Sequence, residues 1–184
     1  MIKKNTNLYV LPLSMFVIGI LVGTAVSIWR ADFLYRIIVC YLPAVHLQIL
    51  QTGFPSGFIA YLGRLRMPVF LVMSVSIFSN FALVVFGGIA FAAGASVAVV
   101  IIAATMFSGI TGILQALLLF GLHSLFYIFA YWALYELAGK RKGFKLGEQV
   151  GILVRIAAIW VAGIVIEGLL SPMIITNVLL KSTL

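Results

Sequence analysis

The chain has 184 residues and a formal charge of +8; 64% of it is hydrophobic and only 9% is charged. Soluble domains carry about 25% charged and 45 to 50% apolar residues, so a mean hydropathy of +1.25 excludes water as the main solvent and places the chain in a lipid bilayer. The 12 Lys and Arg are scattered among apolar runs, which argues against a nucleic-acid partner, and the single cysteine, Cys40, excludes an intramolecular disulfide. No Cys/His spacing suits zinc, so neither metal nor cofactor is expected.

Crossing a hydrocarbon core of about 30 Å takes about 20 apolar helical residues, because only helices and closed barrels satisfy the backbone there. The first such run extends from Leu8 to Trp29 behind Lys3 and Lys4. At about 22 residues it exceeds the usual 7 to 15 of a secretory signal, and no small-residue cleavage site follows, so a retained anchor is expected.

From Arg30 to Leu50, Phe33, Leu34, Ile37, Ile38, Tyr41, Leu42 and Val45 recur at three- and four-residue spacing, interrupted by Arg36, His46 and Gln48. That pattern predicts an amphipathic helix in the interface or on the bundle, kinked at Pro43. Thr52 to Gly57 reads as a loop. Phe58 to Leu65 then approaches the membrane, with Tyr61, Arg64 and Arg66 at headgroup depth.

The second span is expected from Pro68 to Phe86 and a third from Ile89 to Phe107, joined at Gly87-Gly88 by a tight hairpin, which Ser76, Ser79 and Asn80 favour, or by a flexible point in one long irregular helix. Gly94, Ala95, Ser96, Ala98, Ala103 and Ala104 make the third span rich in small residues, which let helices approach closely in lipid and predict a central position. A fourth span covers Gly112 to Ala138 and a fifth Val150 to Leu170, with Lys140, Arg141, Lys142 and Lys145 between them. No run shows the alternation of a barrel strand. The expected fold is therefore all-α: one integral membrane domain over residues 1–184, a polytopic bundle of about five spans plus an interfacial amphipathic helix.

With Lys3, Lys4 and the later basic segment on one side of the membrane, the positive-inside rule makes that side the cytoplasm, and five spans put the C-terminus outside. Arg30, Arg36, Arg64 and Arg66 fall on the outer side in this arrangement.

Ionisable residues at bilayer depth are costly unless paired or hydrated, so each is a candidate site. Arg155 lies close enough to the basic segment to snorkel back to headgroups. Glu136 precedes Lys140 by four, the favourable order for a helical ion pair. His123 lies near the middle of the fourth span with Gln115 eight residues earlier on nearly the same face, suited to packing, ligand binding or proton relay.

Glu167 belongs to the compact run Glu167-Gly168-Leu169-Leu170-Ser171-Pro172. The proline disfavours helix at Ser171, so the helix is expected to end or kink there, with Glu167 in its last turn. Open roles for Glu167 are a tie to another helix, a pair with Arg64 or Arg66, and a contact with a partner. Four acidic residues in all, and no nucleophile-elbow or zinc-protease motif, argue against a self-contained hydrolase; no catalytic residue is expected.

The run Ala162 to Pro172 resembles the closing signature of the stage II sporulation protein M family, in which a final apolar helix carries Glu, a small residue, two more positions, then Ser or Thr followed by Pro. Gly19 to Gly23 is similar to that family's glycine-spaced first helix, and Leu122-His123-Ser124-Leu125-Phe126-Tyr127 to its Pro-His-Gly-x-x-Glu stretch. Leu122, Ser124 and Tyr127 depart from that stretch, and the family's Gly-x-Pro is not evident around Ser79-Asn80-Phe81. The resemblance covers nearly the whole chain in layout and the last helix in detail.

It implies a non-enzymatic scaffold of the bacterial cytoplasmic membrane that recruits and anchors peptidoglycan-degrading enzymes, the sporulation proteins D and P, at the septum during engulfment. The alternative is a small permease or channel subunit with a polar path near Gln115, His123 and Glu167. Homo-oligomers are compatible with either, since Gly87, Gly88 and Gly94 offer close-packing surface.

Overall fold

The computed structural model describes residues 7–32, 56–140 and 146–182. The segments expected as an amphipathic helix and loop, from Phe33 to Pro55, lie outside the described residues, as does most of the basic stretch. Four helices follow one another: α1 (Asn7–Trp29), α2 (Ser56–Ser76), α3 (Ala82–Lys140) and α4 (Leu146–Ser182), with no strand among the described residues. Stretches long and apolar enough to cross a membrane run over Val10–Trp29, Gly57–Ser76, Ala82–Met106 and Gly147–Leu170. The chain is a membrane protein of helical-bundle type.

The 59 residues of α3 would extend about 88 Å as one straight rod. They do not, because Gly109 adopts φ 58° and ψ −138°, a conformation that only glycine enters at low cost. Phe86 lies 23 residues before that break and Tyr131 22 residues after it, yet their rings meet edge-on at 5.4 Å and the Tyr131 hydroxyl donates to the Phe86 carbonyl at 2.8 Å. The two halves of α3, residues 82–108 and 110–140, are therefore antiparallel, and the second contains the fourth stretch foreseen in the sequence.

The second expected span and its hairpin are displaced. The chain turns at residues 77–81, not at Gly87-Gly88, and the helix before the turn starts at Ser56 instead of Pro68. Serine side chains cause the break: Ser76 Oγ donates to the Met73 carbonyl at 2.7 Å, Ser79 Oγ to the Ser76 carbonyl at 2.9 Å, and the Phe81 N–H donates to Ser79 Oγ at 3.2 Å. Short hydroxyl side chains offer the backbone partners that compete with the helix. Phe58 to Leu65, expected as an approach at headgroup depth, is part of α2 itself.

Gly87 and Gly94 serve a different purpose from a turn or a second copy. A Cβ at Gly94 would strike the backbone at Phe16 and Ile20, one at Gly19 would strike Phe91 and Ala95, and one at Gly23 would stand 2.6 Å from the Ala95 carbonyl oxygen. Gly87 faces Met15 at 3.6 Å. Residue numbers rise together on both sides, so α1 runs parallel to the first half of α3 with their backbones in contact, the close approach that small residues permit in lipid.

On the other side of the first half of α3, Met73, Ile77, Phe86, Leu134 and Tyr135 are fully buried where it meets α2 and the second half of α3. Phe70 packs on Trp160 at 5.5 Å, joining α2 to α4. Directions alternate from α2 onward, so the start of α1, the 77–81 turn and the gap between Lys140 and Leu146 share one end of the bundle. Exposed Leu, Val, Ile and Phe line the outer faces of all four helices, as lipid contact requires.

Candidate functional site

Three helices bring four polar side chains to one point inside the bundle. α2 supplies Arg66, the second half of α3 supplies His123 and Tyr127 one turn apart, and α4 supplies Glu167. Arg66 Nη2 donates to Glu167 Oε1 at 2.8 Å and Nε lies 3.4 Å from Oε2, a two-pronged approach that fixes the carboxylate plane. The Tyr127 hydroxyl donates to Oε2 at 2.6 Å. His123 Nε2 stands 3.8 Å from Oε1, too far for a hydrogen bond but within electrostatic reach.

Glu167 and His123 are buried, while the Arg66 side chain is 35% exposed at the edge of the site. Tyr127 is held from three sides: its ring lies 4.7 Å from that of Trp160, 6.0 Å edge-on from that of His123, and 5.5 Å beneath the Arg66 guanidinium carbon. The cation over the ring face and the hydroxyl on the carboxylate make Arg66, Tyr127 and Glu167 one unit.

Glycines make that unit possible. A Cβ at Gly163, one turn before Glu167, would lie 3.0 Å from the Tyr127 ring and 3.1 Å from Phe126 Cβ. A Cβ at Gly168 would collide with Ile59 of α2. Thus α4 presents one bare spot to each neighbouring helix on either side of its carboxylate, and both neighbours close in on it.

Tyr127 stands 13 residues from Lys140 and 18 from Gly109, about 20 Å and 27 Å along the helix. The cluster is thus at bilayer depth, where unpaired charge is costly.

Of the two arginines offered to Glu167 by the sequence, the structure uses Arg66. Tyr127 completes a site for which the sequence offered His123, Glu167 and Arg66; the sign available was a tyrosine four residues after His123 on the same helix face. The side chains of Gln115, Ser171 and Pro172 lie outside the described residues. The backbone of α4 nevertheless continues through Ser171 and Pro172 to Ser182, so of the expected end or kink the end is not there, and Glu167 is not in the last turn.

Other polar side chains lie away from the cluster. Lys140 Nζ donates to Glu136 Oε2 at 3.1 Å at the end of α3. Glu148 and Arg155, with Gly151 and Ile152, line a shallow depression on α4 near the same end of the bundle. Arg155 is exposed there. Comparison with known protein families, curated proteins and solved structures returns no match.

Proposed function

We propose that this chain is a non-enzymatic membrane scaffold that holds peptidoglycan-degrading enzymes at the septal membrane of a sporulating bacterium, with its N-terminus in the cytoplasm and its C-terminus outside. The observation that carries the non-enzymatic part is the state of Glu167. Its two oxygens are taken by the Arg66 guanidinium and the Tyr127 hydroxyl, so it ties α2, α3 and α4 together. A carboxylate acting as a general base must instead face the proton it removes.

The identity of the partners rests on the resemblance of Ala162 to Pro172, Gly19 to Gly23 and Leu122 to Tyr127 to the stage II sporulation protein M family. α4 continues beyond Pro172, so that motif lies within a helix and not at its end. Co-purification from native membranes tests the reading: a wall hydrolase accompanies the wild-type chain, and Glu167→Gln lowers abundance of the complex together with abundance of the chain. A transport activity lost completely on Glu167→Gln while partner binding persists contradicts it.

The 3.8 Å separation of His123 from Glu167 favours a second reading, a small proton-coupled permease, since a histidine beside a carboxylate can pass protons. Proton flux into vesicles containing only this protein, abolished by His123→Ala, is its test.

A further inference from the structure

We propose that the lipid-facing side of α2 around Arg64 docks a transmembrane helix of a partner protein that carries an acidic residue within its own membrane span. The inference rests on the scaffold reading and names the chemistry of what is held.

Arg64 stands seven residues inside the apolar stretch Gly57–Ser76, about 10 Å from its start and about 18 Å from its end. Its side chain is exposed, on the opposite face of α2 from Arg66, which is committed to Glu167. A cation facing hydrocarbon so far from either end of a helix is costly unless an anion meets it.

The chain supplies no acidic side chain for that role. It has four acidic side chains, all among the described residues: Glu167 pairs with Arg66, Glu136 pairs with Lys140, Glu148 is at the opposite end of the bundle, and Asp32 lies beyond the apolar stretch of α1. None forms an ion pair with Arg64. A second copy brings the same four, so at the depth of Arg64 it too has no free carboxylate. Lipid phosphate lies in the headgroup layer, about two helical turns from Arg64, and a guanidinium that snorkels approaches it, so phospholipid is the competing anion the test must separate.

Among the described residues, no helix covers the surface beside Arg64. Gly57 and Ala60 precede it by seven and four residues on one exposed stripe, and a Cβ at Gly63 would meet nothing within 4 Å. Small residues let a second helix come close enough for dispersion contact, and a carboxylate on that helix then reaches the guanidinium as a charge-assisted pair.

The test places a photoreactive phenylalanine derivative at Ala60 of the full chain in native membranes and sequences the crosslinked segment. The expected adduct is a membrane-spanning segment of another protein containing Asp or Glu. Its yield falls about tenfold in Arg64→Gln, persists in Arg64→Lys, and returns in Arg64→Glu when the partner's acid is changed to Arg. Adducts with phospholipid alone, with a second copy of this chain, or with a segment lacking an acid overturn the proposal, as does a yield indifferent to the charge at position 64. A hydrolase that still co-purifies with every variant leaves the scaffold reading standing and removes only this docking face; no protein accompanying the wild-type chain removes both.

Discussion

Glu167→Gln keeps the shape of the side chain, removes its charge and leaves Arg66 facing a neutral amide. At the 2.8 Å separation of Arg66 Nη2 and Glu167 Oε1, the gross attraction at an effective dielectric of 20 is about 6 kcal/mol. Desolvation offsets part of it, and removing one partner of a buried pair typically costs about 3 to 5 kcal/mol. The released Arg66 keeps its place over the Tyr127 ring at 5.5 Å, which lowers the expected loss to about 2 to 4 kcal/mol. Replacing both ends by leucine removes the two charges together and leaves only the Tyr127 hydroxyl without its acceptor, a cost of about 1 to 2 kcal/mol. Reversible unfolding in bicelles, run as a cycle of Arg66→Leu, Glu167→Leu and the pair, measures these values. The single changes are expected to be worse than the double. A double variant as unstable as the sum of the singles refutes the tie between α2 and α4.

Further outcomes follow from other contacts. Gly109→Ala costs about 1 to 3 kcal/mol because the backbone there has φ 58°, whereas Gly121→Ala, with open space around its Cβ, is neutral or stabilising; the same unfolding assay compares them. Gly23→Leu drives α1 off α3, because the Cβ alone stands 2.6 Å from the Ala95 carbonyl oxygen; in a Cys40→Ser background, a disulfide between Met15→Cys and Gly87→Cys forms in the parent and is lost in the variant. Tyr127→Phe costs about 1.5 to 3 kcal/mol through loss of the 2.6 Å bond to a charged acceptor. Single cysteines at Asn80 and Lys140 react with an impermeant reagent from one side of the membrane, and one at Trp29 reacts from the other.

The solvent, the helical class and the rough position of four of the five expected spans were legible in the sequence, because twenty apolar residues in lipid leave the backbone little choice. The start of α2 and the turn after it were not. Arg64 and Arg66 look like the edge of a span when each residue is judged alone, yet Arg66 is neutralised by a carboxylate 101 positions away, a contact outside any sequence window. Gly87-Gly88 looks like a turn for the same reason: the α1 surface that uses Gly87 is invisible locally, while the serines that do make the turn carry a weaker signal. Glu167 and His123 were readable because ionisable groups are rare in hydrocarbon. Tyr127 escaped notice because an intramembrane tyrosine is ordinary until its hydroxyl is seen on a carboxylate.

The central claim is that Glu167 fastens helices and performs no chemistry of its own. Partner capture by the Arg66→Leu, Glu167→Leu double variant, measured in native membranes and normalised to the amount of folded chain, tests this directly. Capture close to the wild-type level is the predicted result, since an apolar seam can replace an ionic one. A double variant that is folded and abundant but has lost the biological activity of the chain contradicts the claim and assigns the carboxylate an active role.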